Sequence, residues 1–119
     1  MEFRHPSWYD AGVQQRLAAS RVAFCIHDMA DSASPAWQTS PVVYLRLHGP
    51  TTLKYQGRYD STRLQLLAQQ VREFTRSARL VCVFFNNSVA GAAAADALQL
   101  RALLAATDAS PADPRSTAR

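Results

Sequence analysis

Four short stretches of this 119-residue sequence end in side chains that can hold charge or move a proton. Glu2 and Arg4 stand at its start. His27 and Asp28 follow the apolar run 22–26, Arg46 and His48 end the stretch VVYLRLHGP over 42–50, and Asn86 and Asn87 follow the run 80–85. A carboxylate and an imidazole are acid/base groups, a guanidinium grips carboxylate or phosphate through a fork of donors, and an amide donates to a developing oxyanion. Arg46 makes the strongest demand, because it sits in an apolar strand-like run and an unpaired buried charge is too costly to keep. Glu2 and Asp28 are the carboxylates expected to answer it.

The elements that must position these groups follow from periodicity. Over 42–48, Val43, Leu45 and Leu47 share one face while Tyr44, Arg46 and His48 share the other. The runs 22–26, 42–47 and 80–85 are apolar on both faces and have helical patterns between most of them, which predicts a parallel sheet in an α/β domain. Glu2-Phe3-Arg4 reads as the last part of a fourth strand. Asp10 is placed to cap a helix from Ala11 to about Ser20, with Val13, Leu17 and Ala18 inward. Asp60 or Ser61 caps a second helix to about Ser77, with the stripe Leu64, Leu67, Ala68, Val71 and Phe74. A third helix runs from Gly91 to about Ala106 with Ala93, Ala97, Leu100 and Leu104 along one side. The connection 29–41 is long for one without a helix, which marks it as a functional candidate.

Ligands of parallel α/β folds bind at the carboxyl ends of the strands, so the four polar ends are expected to share one edge. Trp8, Trp37, Tyr55 and Tyr59 fall on loops at that edge, where exposed aromatics suit stacking on a sugar or a base. The plainer reading is an Arg–Glu network that orders the core and loop aromatics that anchor it.

Composition narrows the classes. At 48% hydrophobic residues the chain fits one domain, 1–106, with 107–119 (TDASPADPRSTAR) expected to be a disordered tail. The net charge of +4 comes almost entirely from scattered arginines, with no basic patch interleaved by aromatics, which argues against nucleic acid. No apolar run is expected to reach the ~20 residues that span a bilayer, and the start does not read as a signal peptide. Cys25 and Cys82 lack C-x-x-C spacing and read as free thiols in a reducing cytoplasm. His5, His27, His48, Glu2 and Asp28 are ligand types without ligand spacing, so no metal is expected. The sequence carries no G-x-G-x-x-G, Walker or G-x-S-x-G motif, and no cofactor is expected.

The segments EFRHPSW (2–8), YLRLHG (44–49), YQGRY (55–59) and FFNN (84–87), in that order and before a G-x-A helix, resemble domain of unknown function 72, the YecE-like proteins. The resemblance runs from Glu2 to about Leu104. It implies the C-terminal half of a TIM-like (β/α)8 barrel, a fold of ~250 residues, in a family whose activity is not established. The family's motif positions fall on Glu2, Arg4, Ser7, Trp8, Asp28, Arg46, His48, Gly49, Tyr55, Tyr59, Asn86 and Asn87. Asp96 departs from the family's frequent asparagine, a difference expected to matter little. The chain starts within a family strand, and four strands cannot close a barrel. That implies a truncated product, a deliberately excised fragment, or a half barrel whose open sheet edges invite self-association.

The expected function is a site for an anionic, phosphate- or sugar-like small molecule. Glu2, Asp28 and His48 would be its catalytic groups, and Arg4, Trp8, Arg46, Tyr55, Tyr59, Asn86 and Asn87 its ligand contacts. Hydrolytic acid/base chemistry, ligand binding without turnover, and an inactive truncated chain all remain open. Only the enzyme needs a carboxylate with a perturbed pKa that is free of arginine pairing.

Overall fold

The three apolar runs become three parallel strands: β1, Cys25–Asp28; β2, Val42–Leu47; and β3, Leu80–Phe85. Their order in the sheet is β1-β2-β3. The computed structural model describes residues 1–29 and 31–107. Three helices accompany the strands: α1, Ala11–Ala19; α2, Ser61–Thr75; and α3, Ala92–Thr107. The tail expected over 107–119 lies outside the described residues except for Thr107, which ends α3.

Glu2–Arg4 is not a strand, contrary to expectation. Met1 nevertheless makes one rung of parallel pairing beside β1: its amino group donates to the Ala23 carbonyl at 2.7 Å, and the Cys25 N–H donates to the Met1 carbonyl at 2.7 Å. β1 also begins three residues later than expected and takes in His27 and Asp28. The side chain of Thr39 explains the delay. Its hydroxyl accepts from the Phe24 N–H at 2.9 Å and donates to the Val22 carbonyl at 2.6 Å, so the connection 29–41 satisfies backbone that a ladder would otherwise use. The same connection is pinned at Ser34, whose N–H donates to the His27 carbonyl and whose hydroxyl accepts from the His27 N–H.

Asp10 and Asp60 cap α1 and α2, accepting from the Val13 and Arg63 amides respectively. α2 buries Leu64, Leu67, Ala68 and Val71, as its period requires, against Val43, Leu45 and Leu47 of β2. α1 buries Leu17 and leaves Ala18 exposed. The first two turns of the inner stripe of α3 are shifted by one residue from expectation: Ala92 and Asp96 are buried and Ala97 is exposed, while Leu100 is buried as expected. A carboxylate was not expected on that face, and its partners account for it below. α3 also qualifies an expectation about apolar runs. The stretch Val89–Ala106 is long and apolar enough to cross a membrane by length and composition, with a mean hydropathy of 1.3, although it contains Asp96 and Arg101.

The register decides which side chains share a face. Across the sheet Cys25 lies opposite Tyr44 and Tyr44 opposite Cys82, while His27 lies opposite Arg46 and Arg46 opposite Phe84. The alternating set Ile26, Val43, Leu45 and Leu47 forms the core beneath α2. Helices therefore cover one face of the sheet. On the other face Tyr44 stacks on Phe84 with ring centroids 4.7 Å apart, and Phe84 remains 44% exposed.

Candidate functional site

Glu2 gathers most of the charged groups on the helix-free face. Its Oε2 accepts from Arg46 Nη1 at 2.7 Å, and its Oε1 accepts from Arg4 Nε at 3.1 Å. The thiol of Cys25 lies 3.6 Å from Oε2, and Nε2 of His48 lies 3.6 Å from Oε1. With its amide oxygen turned toward the guanidinium, Asn86 accepts from Arg46 Nη2 at 2.7 Å and Nε at 3.3 Å. Arg46 is thus clamped between a carboxylate and an amide. A depression of about 260 Å3 opens beside this cluster, lined by Met1, Glu2, Ala23, Cys25, Tyr44 and Arg46.

Burial alone would push the Glu2 carboxyl up, but the hydrogen bond and charge of Arg46, and then of Arg4, outweigh it and hold the carboxyl below its usual range. Burial lowers the pKa of His48; the nearby carboxylate opposes that, and Arg46 and Arg4 add to it. Its imidazole is therefore held neutral. Burial, reinforced by Glu2, pushes the Cys25 thiol up to about 12, so Cys25 is not a thiolate nucleophile at neutral pH. The rings of His27 and His48 are buried 6.2 Å apart, and among the described residues their nitrogens have no hydrogen-bond partner. Tyr55, whose backbone takes the left-handed φ of 66°, sets its ring 5.6 Å from that of His48. The described residues contain no group of three or more His, Cys, Asp or Glu side chains able to hold a metal ion.

Asp28 does not join this cluster. It pairs in register with Leu47, one step beyond Arg46, and so faces the helices. There its carboxylate accepts from the Tyr59 hydroxyl at 2.8 Å, the His48 N–H at 3.2 Å and Arg63 Nη2 at 3.2 Å. Among the described residues, Glu2 is the carboxylate that answers the demand of Arg46.

A family model described as "Protein of unknown function DUF72" matches residues 1–118. The chain belongs to the DUF72 family. No curated protein matches it. A DUF72 family protein from Thermotoga maritima, solved by crystallography, is similar at 28% identity and a TM-score of 0.80, with 87% of this chain and 44% of that chain covered. A DUF72 family protein from Enterococcus faecalis is similar at 25% identity and a TM-score of 0.76, with 98% of this chain and 50% of that chain covered. The chain spans about half the length of these DUF72 structures. Three parallel strands with their helices agree with that share of a larger α/β fold.

The remaining DUF72 motif positions fall away from the Glu2 cluster. Trp8 is half-exposed and stacks on Phe3 at 4.9 Å, on the margin of an aromatic group formed by Phe24, Trp37 and Tyr9. Tyr59 is buried: its hydroxyl bridges Asp28 and the Gly49 N–H at 2.8 Å each, and burial pushes that hydroxyl's pKa up. Asn87 is closed to solvent and donates to the Gly57 carbonyl at 2.8 Å and to Asp96 at 2.7 Å. Tyr59 and Asn87 therefore brace the loop after β2. Asp96, expected to matter little, also receives the Tyr59 N–H at 3.1 Å and Nε of Arg58, and so ties these loops together. The available signal was the only carboxylate of the helix, at the i+4 spacing between Ala92 and Leu100.

Proposed function

We propose that the edge formed by Glu2, Arg4, Arg46, His48 and Asn86 binds an anionic small molecule of the phosphate or carboxylate class. The observation that supports it is the convergence of two guanidiniums on one carboxylate beside an open depression. Arg4 engages Glu2 through Nε, which leaves its forked end toward solvent, and the bonds of Arg46 to Glu2 and Asn86 do not exhaust its donors. An anion would complete the neutralisation that Glu2 begins, and Tyr55 and His48 would border it. Binding without turnover fits better than acid catalysis by Glu2, since that carboxylate is arginine-paired and held ionised.

One observation favours a second reading, hydrolysis. His48 offers a neutral imidazole whose nitrogens have no hydrogen-bond partner among the described residues, the state required of a general base. The matched DUF72 structures are about twice as long, so the whole-protein reading is that of half of a TIM-like barrel site. The free Cys25 and Cys82 suit a reducing, cytoplasmic setting.

Titration with inorganic phosphate by calorimetry tests the first reading. Saturable binding by the parent chain that disappears in Arg46→Met, with the thermal transition kept, supports it. Loss of the transition in that variant would instead make the Arg46–Glu2 pair a structural brace.

A further inference from the structure

We propose that the cavity between α2 and the connection 29–41 binds a small carboxylate with an apolar body. The cavity measures about 200 Å3 and lies on the helix side of the sheet, opposite the Glu2 cluster. Its walls are β1, β2, the connection that joins them and α2, so it does not depend on what lies beyond either edge of the sheet. The floor is apolar: Ile26 of β1, Leu45 and Leu47 of β2, and Leu67 of α2. A connection between parallel strands usually supplies a helix that fills such a space. This one has no helix among its described residues and lines the cavity with the small residues Ala33, Ser34 and Ala36. It is also held from settling into the gap. Ser34 is tied to the His27 backbone by two hydrogen bonds, and Thr39 to Phe24 and Val22.

The polar end decides the chemistry of the occupant. Asp28 already accepts from the Tyr59 hydroxyl, the His48 N–H and Arg63, and the Tyr59 hydroxyl accepts from Gly49 in turn. Arg63 uses one of its guanidinium donors on Asp28, and among the described residues no other acceptor meets that guanidinium. It stands in the first turn of α2, where the helix dipole favours negative charge. The cavity thus offers donors and calls for an acceptor. A carboxylate can take the free fork of Arg63 while its apolar body lies along Leu66 and Leu67. Gln70 lines the far end two turns on, so the cavity runs about 10 Å along α2 at about 1.5 Å per residue. That length, with a volume below the roughly 300–1,000 Å3 of drug-sized sites, fits a single short chain. The site uses the opposite face from the Glu2 edge and does not rest on the anion-binding reading of that edge.

The test is calorimetric titration of the full chain with octanoate, and with 1-octanol as its uncharged counterpart, alongside a thermal melt of every variant. The expected result is saturable binding of one octanoate per chain, weaker by about tenfold or more for 1-octanol and for Arg63→Met. The Arg63 side chain is 56% exposed, so that variant should keep its thermal transition. Ala36→Phe, at an exposed position of the wall, should fill the cavity and abolish binding, whereas Arg46→Met on the other face should leave it unchanged. No saturable binding by the parent chain would overturn the proposal. So would octanoate binding indifferent to both Arg63→Met and Ala36→Phe. Loss in Arg46→Met with Arg63→Met unaffected would also overturn it, by placing the carboxylate at the Glu2 edge.

Discussion

The carboxylate of Asp96 in α3 meets the amide of Asn87 at 2.7 Å in a place fully closed to solvent. The same carboxylate takes the Tyr59 N–H and the Arg58 guanidinium, tying the loop between β2 and α2 to the helix that follows β3. Asp96→Ala would leave the Asn87 amide and the Tyr59 N–H buried without that acceptor, at about 1–3 kcal/mol for each unsatisfied group. A stability loss of about 2–4 kcal/mol is expected in urea unfolding. Asp96→Asn, which keeps one acceptor oxygen, should lose roughly half as much. Equal losses in the two variants would show that the charge, and not the acceptor geometry, matters.

Gly49, two residues after β2, has φ 115°, and a Cβ built there would lie 2.5 Å from the Gln56 carbonyl oxygen. Backbone cannot move away as a side-chain tip can, and the conformation itself is one that L-residues rarely adopt. Gly49→Ala should therefore cost about 2–3 kcal/mol and displace Tyr55 from His48. A melting temperature unchanged from the parent would count against this account of the loop.

Tyr59→Phe removes the hydroxyl that accepts from Gly49 and donates to Asp28. The buried Gly49 N–H then lacks that acceptor, and about 1–2 kcal/mol of stability should be lost. Anion binding at the Glu2 cluster should persist, since the hydroxyl faces the helix side of the sheet. Loss of phosphate binding with stability intact would place Tyr59 in the ligand site instead.

Acid should weaken the fold in two stages. Both Glu2 and His48 have folded pKa values below their ordinary values of 4.5 and 6.5, so each group binds its proton more readily when the chain is unfolded. Their contribution is complete above about pH 6.5 and is lost as the pH falls, first through the His48 window below 6.5 and then through the Glu2 window below 4.5. Melting temperature followed from pH 8 to pH 3.5 should decline across both windows. His48→Gln should remove the first decline and keep the second; a flat profile down to pH 5 in the parent chain would exclude the His48 contribution.

The sequence by itself determined the local elements. The alternation of 42–47, the 64-67-68-71 stripe and the Asp10 and Asp60 caps depend on neighbours a few residues away, and β2, α1 and α2 formed as those patterns require. It also pointed to a carboxylate for Arg46, which Glu2 supplies, although the arginine side chain is 34% exposed and its pairing is not forced by full burial. Which carboxylate answers was decided by register. Asp28 stands one step past Arg46 across the sheet and so points to the helices, leaving Glu2, forty-four residues away in sequence, as the partner. The Asp96 network was equally out of reach. Its donors come from the loop after β2 and the end of β3, and no local period brings Asn87, Tyr59 and Asp96 together until the helices pack. Tyr59 and Asn87 brace the loop after β2 for the same reason: residue type names the chemistry a side chain can do, but the packing of distant elements decides what it faces.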